Sequence, residues 1–531
     1  MTQVQRRGII WVSVSWVYVL TSSGCEVKMC VLLVEFFGIL VAVCLCLLVS
    51  VAWHIHRQHQ KCDHLPGPPR DSFWSGHIRS IEKMVAAGGI MDDYLIEISK
   101  THGPVFRLCM WHQVVVFVSD PECIKDVLVT GNHPKSKRMY SRLSNMFGTR
   151  FIGRGIETEV DNKIWVLQRI QLDQWFKPHY IRQLASEFNE FADRFVEYLE
   201  TKANGKTEIH MLDTFNKLAM HLLYKVASSI DLGPLTDENH PFVTKMKTTI
   251  TGFATLLSDP LVAINPFKWR FRRDVRDAIK YIRQSARQMM TDRNVAKRNG
   301  DYVPHDLLEY IMELKEKHPS KMTDEILLDN FLTFLLAGQE TTAATLSFII
   351  ILLAKNPECY KKLQKEIDDN IGAVSVVTLN ELEKLPYLDM VLKETLRLYP
   401  VVKVSFRETT TDYKLGGHHI PAGTDMVISF YATSRSEQNI RQPLDFLPER
   451  FDNDSSERIS KYAVTPFSAG PHTCIGKKYA EMEMKIIIAK IMQNFDFELI
   501  PGQTSEVQGN VFIQPKSEVK CFLRPRKTVS A

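Results

Sequence analysis

No Cys-x-x-Cys pair occurs anywhere in the chain. Five of the ten cysteines come early, at Cys25, Cys30, Cys44, Cys46 and Cys62. Cys109, Cys123, Cys359, Cys474 and Cys521 are spread over the rest. The pattern gives no support for a zinc ribbon, a thioredoxin-like pair or a disulfide framework, and it fits a reducing compartment. Internal repeats and low-complexity tracts are also missing. A hydrophobic fraction of 45% with 24% charged residues excludes a mostly disordered chain, a collagen-like repeat and a long coiled coil. Neither sign of charge dominates: 66 basic residues against 61 acidic leave a net +5, which does not call for nucleic acid. A mean hydropathy of −0.14 excludes a polytopic membrane protein. What remains is a globular chain of 531 residues, enough for one large domain or two or three average ones.

One apolar run is long enough to cross a bilayer. Cys30 to Trp53 reads CVLLVEFFGILVAVCLCLLVSVAW, with one charge, Glu35, near its start. His54, His56, Arg57, His59 and Lys61 follow, so the positive-inside tendency puts the rest of the chain in the cytosol. We therefore expect a single transmembrane anchor over residues 29–54. A shorter stretch, Gly8 to Leu20, is interrupted by serines. Residues 1–28 are expected to be an extension without a part in the chemistry. His64-Leu65-Pro66-Gly67-Pro68-Pro69 closes a basic, proline-rich hinge over 55–71, because prolines fix φ and cannot continue a helix. Residues 72–531 then form the globule.

Within it, Val105–Met110 and Val114–Ser119 predict a hairpin. Ile181, Leu184, Phe188, Phe191, Phe195 and Leu199 form one apolar stripe on a long helix stopping near Gly205. Thr323 to Lys355 predicts a helix on the order of 50 Å long, capped by Thr323 and ended by Asn356-Pro357. It is apolar on nearly all sides except at Gln339-Glu340-Thr341-Thr342, which places it in the middle of the protein and not in lipid. The fold class is mainly α with a smaller β-rich part.

Near the C-terminus stands Phe467-Ser-Ala-Gly470-Pro471-His472-Thr473-Cys474-Ile475-Gly476. The glycines allow close approach of a flat group, and a cysteine ahead of a helix start is biased toward thiolate. By itself that thiolate could be a nucleophile, a redox sensor, an iron ligand or simply a small core residue. The spacing Phe467-x-x-Gly470-x-x-x-Cys474-x-Gly476 resembles the haem-binding loop of the cytochrome P450 family. Ala337-Gly338-Gln339-Glu340-Thr341-Thr342 resembles its oxygen-activating stretch. Glu394-x-x-Arg397 and Pro448-Glu449-Arg450-Phe451 resemble its buried Glu-Arg-Arg cluster, and Trp165-x-x-x-Arg169 resembles its haem-propionate helix.

This resemblance implies a cytochrome P450 fold carrying haem b, with Cys474 as the axial ligand to iron. Glu340 and Thr341 would supply protons to oxygen, and Gly338 would leave room for O₂ and loosen its helix. Trp165, Arg169, Arg407 and His472 would meet the porphyrin carboxylates, with Phe467 and Gly470 shaping the loop. Glu394, Arg397 and Arg450 would be structural. The family usually has arginine where this chain has His472, so weaker, pH-sensitive haem anchoring is expected. The implied partners are O₂ and NADPH-cytochrome P450 reductase, docking near Lys477, Lys478 and Lys485. The implied site is the endoplasmic reticulum membrane.

Long stretches, including HLPGPPRDSFWSGH and YLDMVLKETLRLYP, are most similar to the sterol side-chain hydroxylases of the cholesterol 24-hydroxylase group. Candidate substrate contacts are Met146, Phe147, Phe151, Ala337 and Lys403. An unpaired Lys403 in an oily pocket is expensive, so either it points away or the pocket takes an acidic group. Hydroxylation of a fatty acid or xenobiotic is the alternative monooxygenase reading. A haem-thiolate isomerase or binding protein that does not use O₂ is the reading of another class, and such a protein needs no Glu340-Thr341 relay.

Overall fold

The computed structural model describes residues 24–87, 90–237, 240–509 and 512–526. The Gly8–Leu20 stretch and residues 1–23 of the expected extension lie outside the described residues.

Helix α1, Gly24–Cys62, contains the apolar run. Its most apolar part has a mean hydropathy of 2.9 and none of it is buried, which makes it a candidate membrane anchor. The helix does not stop at residue 54. The basic turns continue it to Cys62 because Ile55, His59 and Cys62 are buried against the globule, with His59 Nε2 2.8 Å from the Trp111 carbonyl. The flexible part of the expected 55–71 hinge therefore shrinks to the prolines. These are themselves docked: the Pro66 carbonyl accepts from the Arg107 N–H at 2.8 Å, and His77 Nε2 lies 3.0 Å from the Pro68 carbonyl.

The globule comprises α2 (Met91–His102), the hairpin β1 (Val105–Met110) and β2 (Gln113–Val118), and then α3 (Asn162–Leu172) and α4 (Ala185–Glu200). After these come α5 (Met211–Ser228), α6 (Pro241–Ser258), α7 (Trp269–Asn299) and α8 (Asp324–Lys355). The last part is α9 (Pro386–Leu398), β3 (Val404–Glu408), β4 (Asp425–Ser429) and α10 (Lys477–Asn494). The hairpin forms as predicted, around a two-residue turn at Trp111-His112 in which Trp111 takes φ +52°. The sheet order is β1-β2-β4-β3. Its one parallel pairing, β2 with β4, requires the long helical excursion between them. The stripe predicted to be one helix from Ile181 is split at Leu184, with Pro178–Gln183 forming a separate turn, while Phe188, Phe191, Phe195 and Leu199 stay buried on α4.

α8 is the axis. The Thr323 hydroxyl accepts from the Ile326 N–H at 3.4 Å, and Asn356 closes the far end. In its most apolar stretch 72% is buried, so it is a core helix, with α5 packed along it. Gly338 does not loosen it, since the helix is unbroken there. A Cβ at Gly338 would lie 2.9 Å from Leu223 Cδ2, so glycine lets α5 approach.

Burial also governs the charges. Glu394 and Arg397 are fully buried, joined Nε–Oε2 at 2.6 Å and Nη2–Oε1 at 2.8 Å, and Arg450 Nε reaches Glu394 Oε1 at 3.3 Å. Arg397 also donates to the carbonyls of Ser434 and Pro443, at 2.9 and 2.6 Å. One carboxylate thus holds two guanidiniums that tie α9 to the chain leading into the Cys474 loop. Removing it strands both. Glu394→Ala is expected to lose roughly 3–5 kcal/mol, read as a fall in the urea midpoint, and a wild-type midpoint would show that the cluster adds nothing.

Candidate functional site

A cavity of about 350 Å³ opens beside the middle of α8. Its walls are α8 from Thr333 to Thr345, the segment 401–407, the loop 466–476, and parts of α3, α5 and α6. Of the residues singled out in the sequence, Cys474, Trp165, Arg169, Arg407, His472, Phe467, Ala337, Gly338, Glu340 and Thr341 all line this one cavity. They come from segments up to three hundred residues apart, and the fold brings them together.

Cys474 ends a turn in which its N–H donates to the Phe467 carbonyl at 2.8 Å, immediately before α10 begins at Lys477. Its side chain is exposed to the cavity. The expected bias toward thiolate does not prevail in the protein alone. Burial pushes the thiol up to about 11, against the pull of the Gly476 N–H and Arg169. A sulfur so placed becomes thiolate when a cation sits on it, as an iron ligand would.

The basic residues have the chemistry a porphyrin's carboxylates need. Arg407 is buried; its Nη1 donates to Ser405 Oγ at 2.8 Å and to the Phe406 carbonyl at 3.0 Å, while its Nε has no partner. Arg169 donates to the Thr473 carbonyl at 2.5 Å and pairs with Asp173 at 2.9 Å, bracing the Cys474 loop. His472 lies against the Trp165 ring, centroids 3.8 Å apart, and its Nδ1 is buried without a partner. Burial, with Arg407, Lys135 and Arg169 nearby, depresses His472 to about 2. In this protein surrounding the imidazole is neutral at ordinary pH.

Lys135, missed in the sequence, joins this group. It is buried, donates to the Ile156 and Glu157 carbonyls at 2.7 and 2.6 Å, and lies 5.8 Å from the centre of the Trp165 ring. Burial pulls its ammonium down to about 8. The His-Pro-Lys-Ser context around it carries no periodic or motif signal that would mark it.

Other expectations fall elsewhere. Gly470 does not line the cavity. With φ +70°, its missing Cβ would lie 2.1 Å from the Leu128 carbonyl, so it serves loop packing. Met146 and Phe151 are wholly buried in the core, and Phe147 packs on Phe271 at 6.1 Å, so none of the three lines the cavity. Lys403 is fully buried outside it, with its ammonium on the Asp92 carboxylate and 3.0 Å from the Gly509 carbonyl. In their place the apolar lining includes Leu143, Ile152, Leu223, Phe253, Phe334 and Phe512.

Glu340 and Thr341 occupy the α8 face of the cavity. Burial alone pushes the Glu340 carboxyl up to about 7. The Thr341 hydroxyl donates to the Ala337 carbonyl at 2.7 Å, which leaves its oxygen as an acceptor.

A lone cysteine at the head of a helix, cations on one side and an apolar chamber above define a haem-thiolate protein. Comparison with known proteins agrees: residues 66–521 match the cytochrome P450 family, and the chain belongs to it. It is 30% identical over 456 residues to cytochrome P450 3A11 of Mus musculus, covering 82% of this chain and 87% of that one. It is 30% identical to cytochrome P450 3A6 of Oryctolagus cuniculus, over 77% of this chain and 82% of that one. It is 27% identical to cytochrome P450 4d2 of Drosophila melanogaster, over 82% and 89%. The protein is thus an oxidoreductase of the cytochrome P450 monooxygenase family, which uses haem with a cysteine thiolate as axial ligand.

Two measurements follow from the geometry. With carbon monoxide, the reduced wild-type protein should show the thiolate-type band and Cys474→Ser should lose it; an imidazole-type wild-type spectrum would remove Cys474 as the ligand. Glu340 should ionise near pH 7 when folded but near about 4.3 when unfolded. Between those values the folded state binds more protons, so stability falls as pH rises. Unfolding titrations should show this loss in wild type relative to Glu340→Gln, and parallel curves would show that Glu340 is not desolvated.

Proposed function

We propose that the protein hydroxylates the side chain of a sterol, as the cholesterol 24-hydroxylase group does, with Cys474 as the haem ligand. We place it in the endoplasmic reticulum membrane with a single anchor and a cytosolic catalytic domain. The observation that carries this substrate reading is the direction of Lys403. Because its ammonium is bound to Asp92 behind the wall, the 401–406 segment presents to the chamber Val401, Val402, Val404 and Phe406 with Ser405, and no ammonium. Phe253, Phe334 and Phe512 add flat apolar surface, while the cations Lys135, Arg169 and Arg407 stay on the Cys474 side. A neutral lipid with a rigid body suits such a chamber, and a membrane anchor places the chamber where sterols dissolve.

Haem-thiolate, when bound, supplies the activation of O₂ for insertion of one oxygen atom into a C–H bond. The chain's own residues do the rest. Glu340, with a carboxyl titrating near 7, holds a proton at the α8 face and exchanges it near neutral pH. The Thr341 hydroxyl, at the next position along the helix, donates to the Ala337 carbonyl and keeps its oxygen available as an acceptor. That arrangement favours a reaction that consumes protons over an O₂-independent rearrangement. Electrons arrive singly from NADPH-cytochrome P450 reductase. The docking face narrows to Lys477 and Lys478, which are exposed even though Lys477 lies 3.8 Å from Glu481, because Lys485 is mostly covered and bonded to Asp389.

Adding cholesterol to the ferric holoprotein should displace the water on iron, and reductase with NADPH should yield a product heavier by one oxygen on the side chain. Turnover of a fatty acid with no sterol binding would establish the alternative.

A further inference from the structure

Lys403 has a second consequence. It sits between Val402 and Val404 on one wall of the chamber, yet its side chain passes behind that wall. There the ammonium meets Asp92, 311 residues away at the start of α2, and donates to the Gly509 carbonyl at 3.0 Å. Its own carbonyl accepts from the N–H of Phe430 at 2.8 Å and of Tyr431 at 3.3 Å, so the backbone around it is fixed.

Gly509 is not free to move alone. Its φ is +105°, and a Cβ there would lie 1.9 Å from the Phe512 carbonyl, so only glycine fits and the two residues are in contact. Phe512 pairs across to Val402, and the Ile513 N–H donates to the Val401 carbonyl at 2.8 Å. The Phe512 ring then faces Phe253 of α6, centroids 5.7 Å apart, with both rings lining the chamber. One ammonium therefore joins α2, the 401–406 wall and the segment that carries Phe512 against α6.

We propose that Lys403 is a specificity-determining positioning residue: held by Asp92 and bonded to Gly509, it sets the place of Phe512 relative to the 401–406 wall, and so the bulk of ligand the chamber accepts. It touches no ligand and acts through Gly509 and Phe512. This rests on the cavity around Cys474 being the substrate chamber, but not on the substrate being a sterol.

The test uses full-length holoprotein and two ligands that bind haem iron through an imidazole nitrogen. One is imidazole itself, too small to feel the walls; the other carries a biphenylmethyl group that fills the chamber. Lys403→Met should weaken the bulky ligand by about tenfold, while imidazole binding stays within about twofold. Lys403→Arg, which keeps the charge, should recover most of the loss. Asp92→Asn leaves an acceptor for the ammonium and should shift the ratio the same way by less. Lys490→Met is the control. It removes another buried ammonium, bonded to Asp193 at 2.5 Å and away from the chamber, and should lower stability without changing the ratio. The proposal is overturned if Lys403→Met and Asp92→Asn both leave the ratio within about twofold of wild type, or if Lys490→Met moves it as far. Failure of imidazole to bind the wild-type holoprotein would instead overturn the placement of iron in this cavity, and this proposal with it.

Discussion

The fold depends on enclosing one helix. α8 is 32 residues long and apolar on nearly every side, so water must be kept from its whole circumference. A single neighbour covers only one stripe of a helix. Several elements, α5 foremost, therefore pack around it. The polar interruption at Gln339–Thr342 cannot be covered by the same apolar packing. Glu340, Thr341 and Thr342 of it face a cavity that the loop bearing Cys474 also lines.

Burial imposes a second rule, that charges go inside only in company. Glu394 with Arg397 and Arg450 is one instance, Lys403 with Asp92 another. A third is Asp329, wholly buried on α8, which accepts from Arg283 Nη1 at 2.8 Å and from the Arg154 N–H at 2.8 Å and also pairs with Arg150. Each cluster joins segments far apart in the chain. Two groups facing the cavity leave polar atoms unpaired. Arg407 Nε and His472 Nδ1 are buried without partners, as expected of groups whose partner is the carboxylates of a bound porphyrin.

Much was legible in the sequence because it is encoded locally. The candidate anchor is a run of composition, α8 a run with a capping threonine and a terminal Asn-Pro, and the hairpin two β-rich runs around a short turn. The Cys474 loop, Glu340-Thr341, Glu394-x-x-Arg397 and Trp165-x-x-x-Arg169 are spacings within one element or loop. They were readable because a helix or turn fixes the geometry of neighbours three to eight residues apart. Met146, Phe147 and Phe151 were misplaced for the complementary reason. An aromatic near a cavity and one a turn behind it have the same local sequence signal, and here Ile152 and Ile156 face inward instead.

The sequence by itself thus determined the class of protein, the axial helix and the pairing of Glu394 with Arg397, since each is written in short local patterns. The tertiary structure alone decided which residues share the chamber and how their charges stand. Lys135 entered the site through its bonds to the Ile156 and Glu157 carbonyls. His472 was made neutral by burial among cations from three segments, and Lys403 was drawn out of the chamber by Asp92. No local pattern specifies such outcomes. Desolvation and ion pairing are set by everything packed around a group, and that surrounding exists only once distant parts of the chain have met.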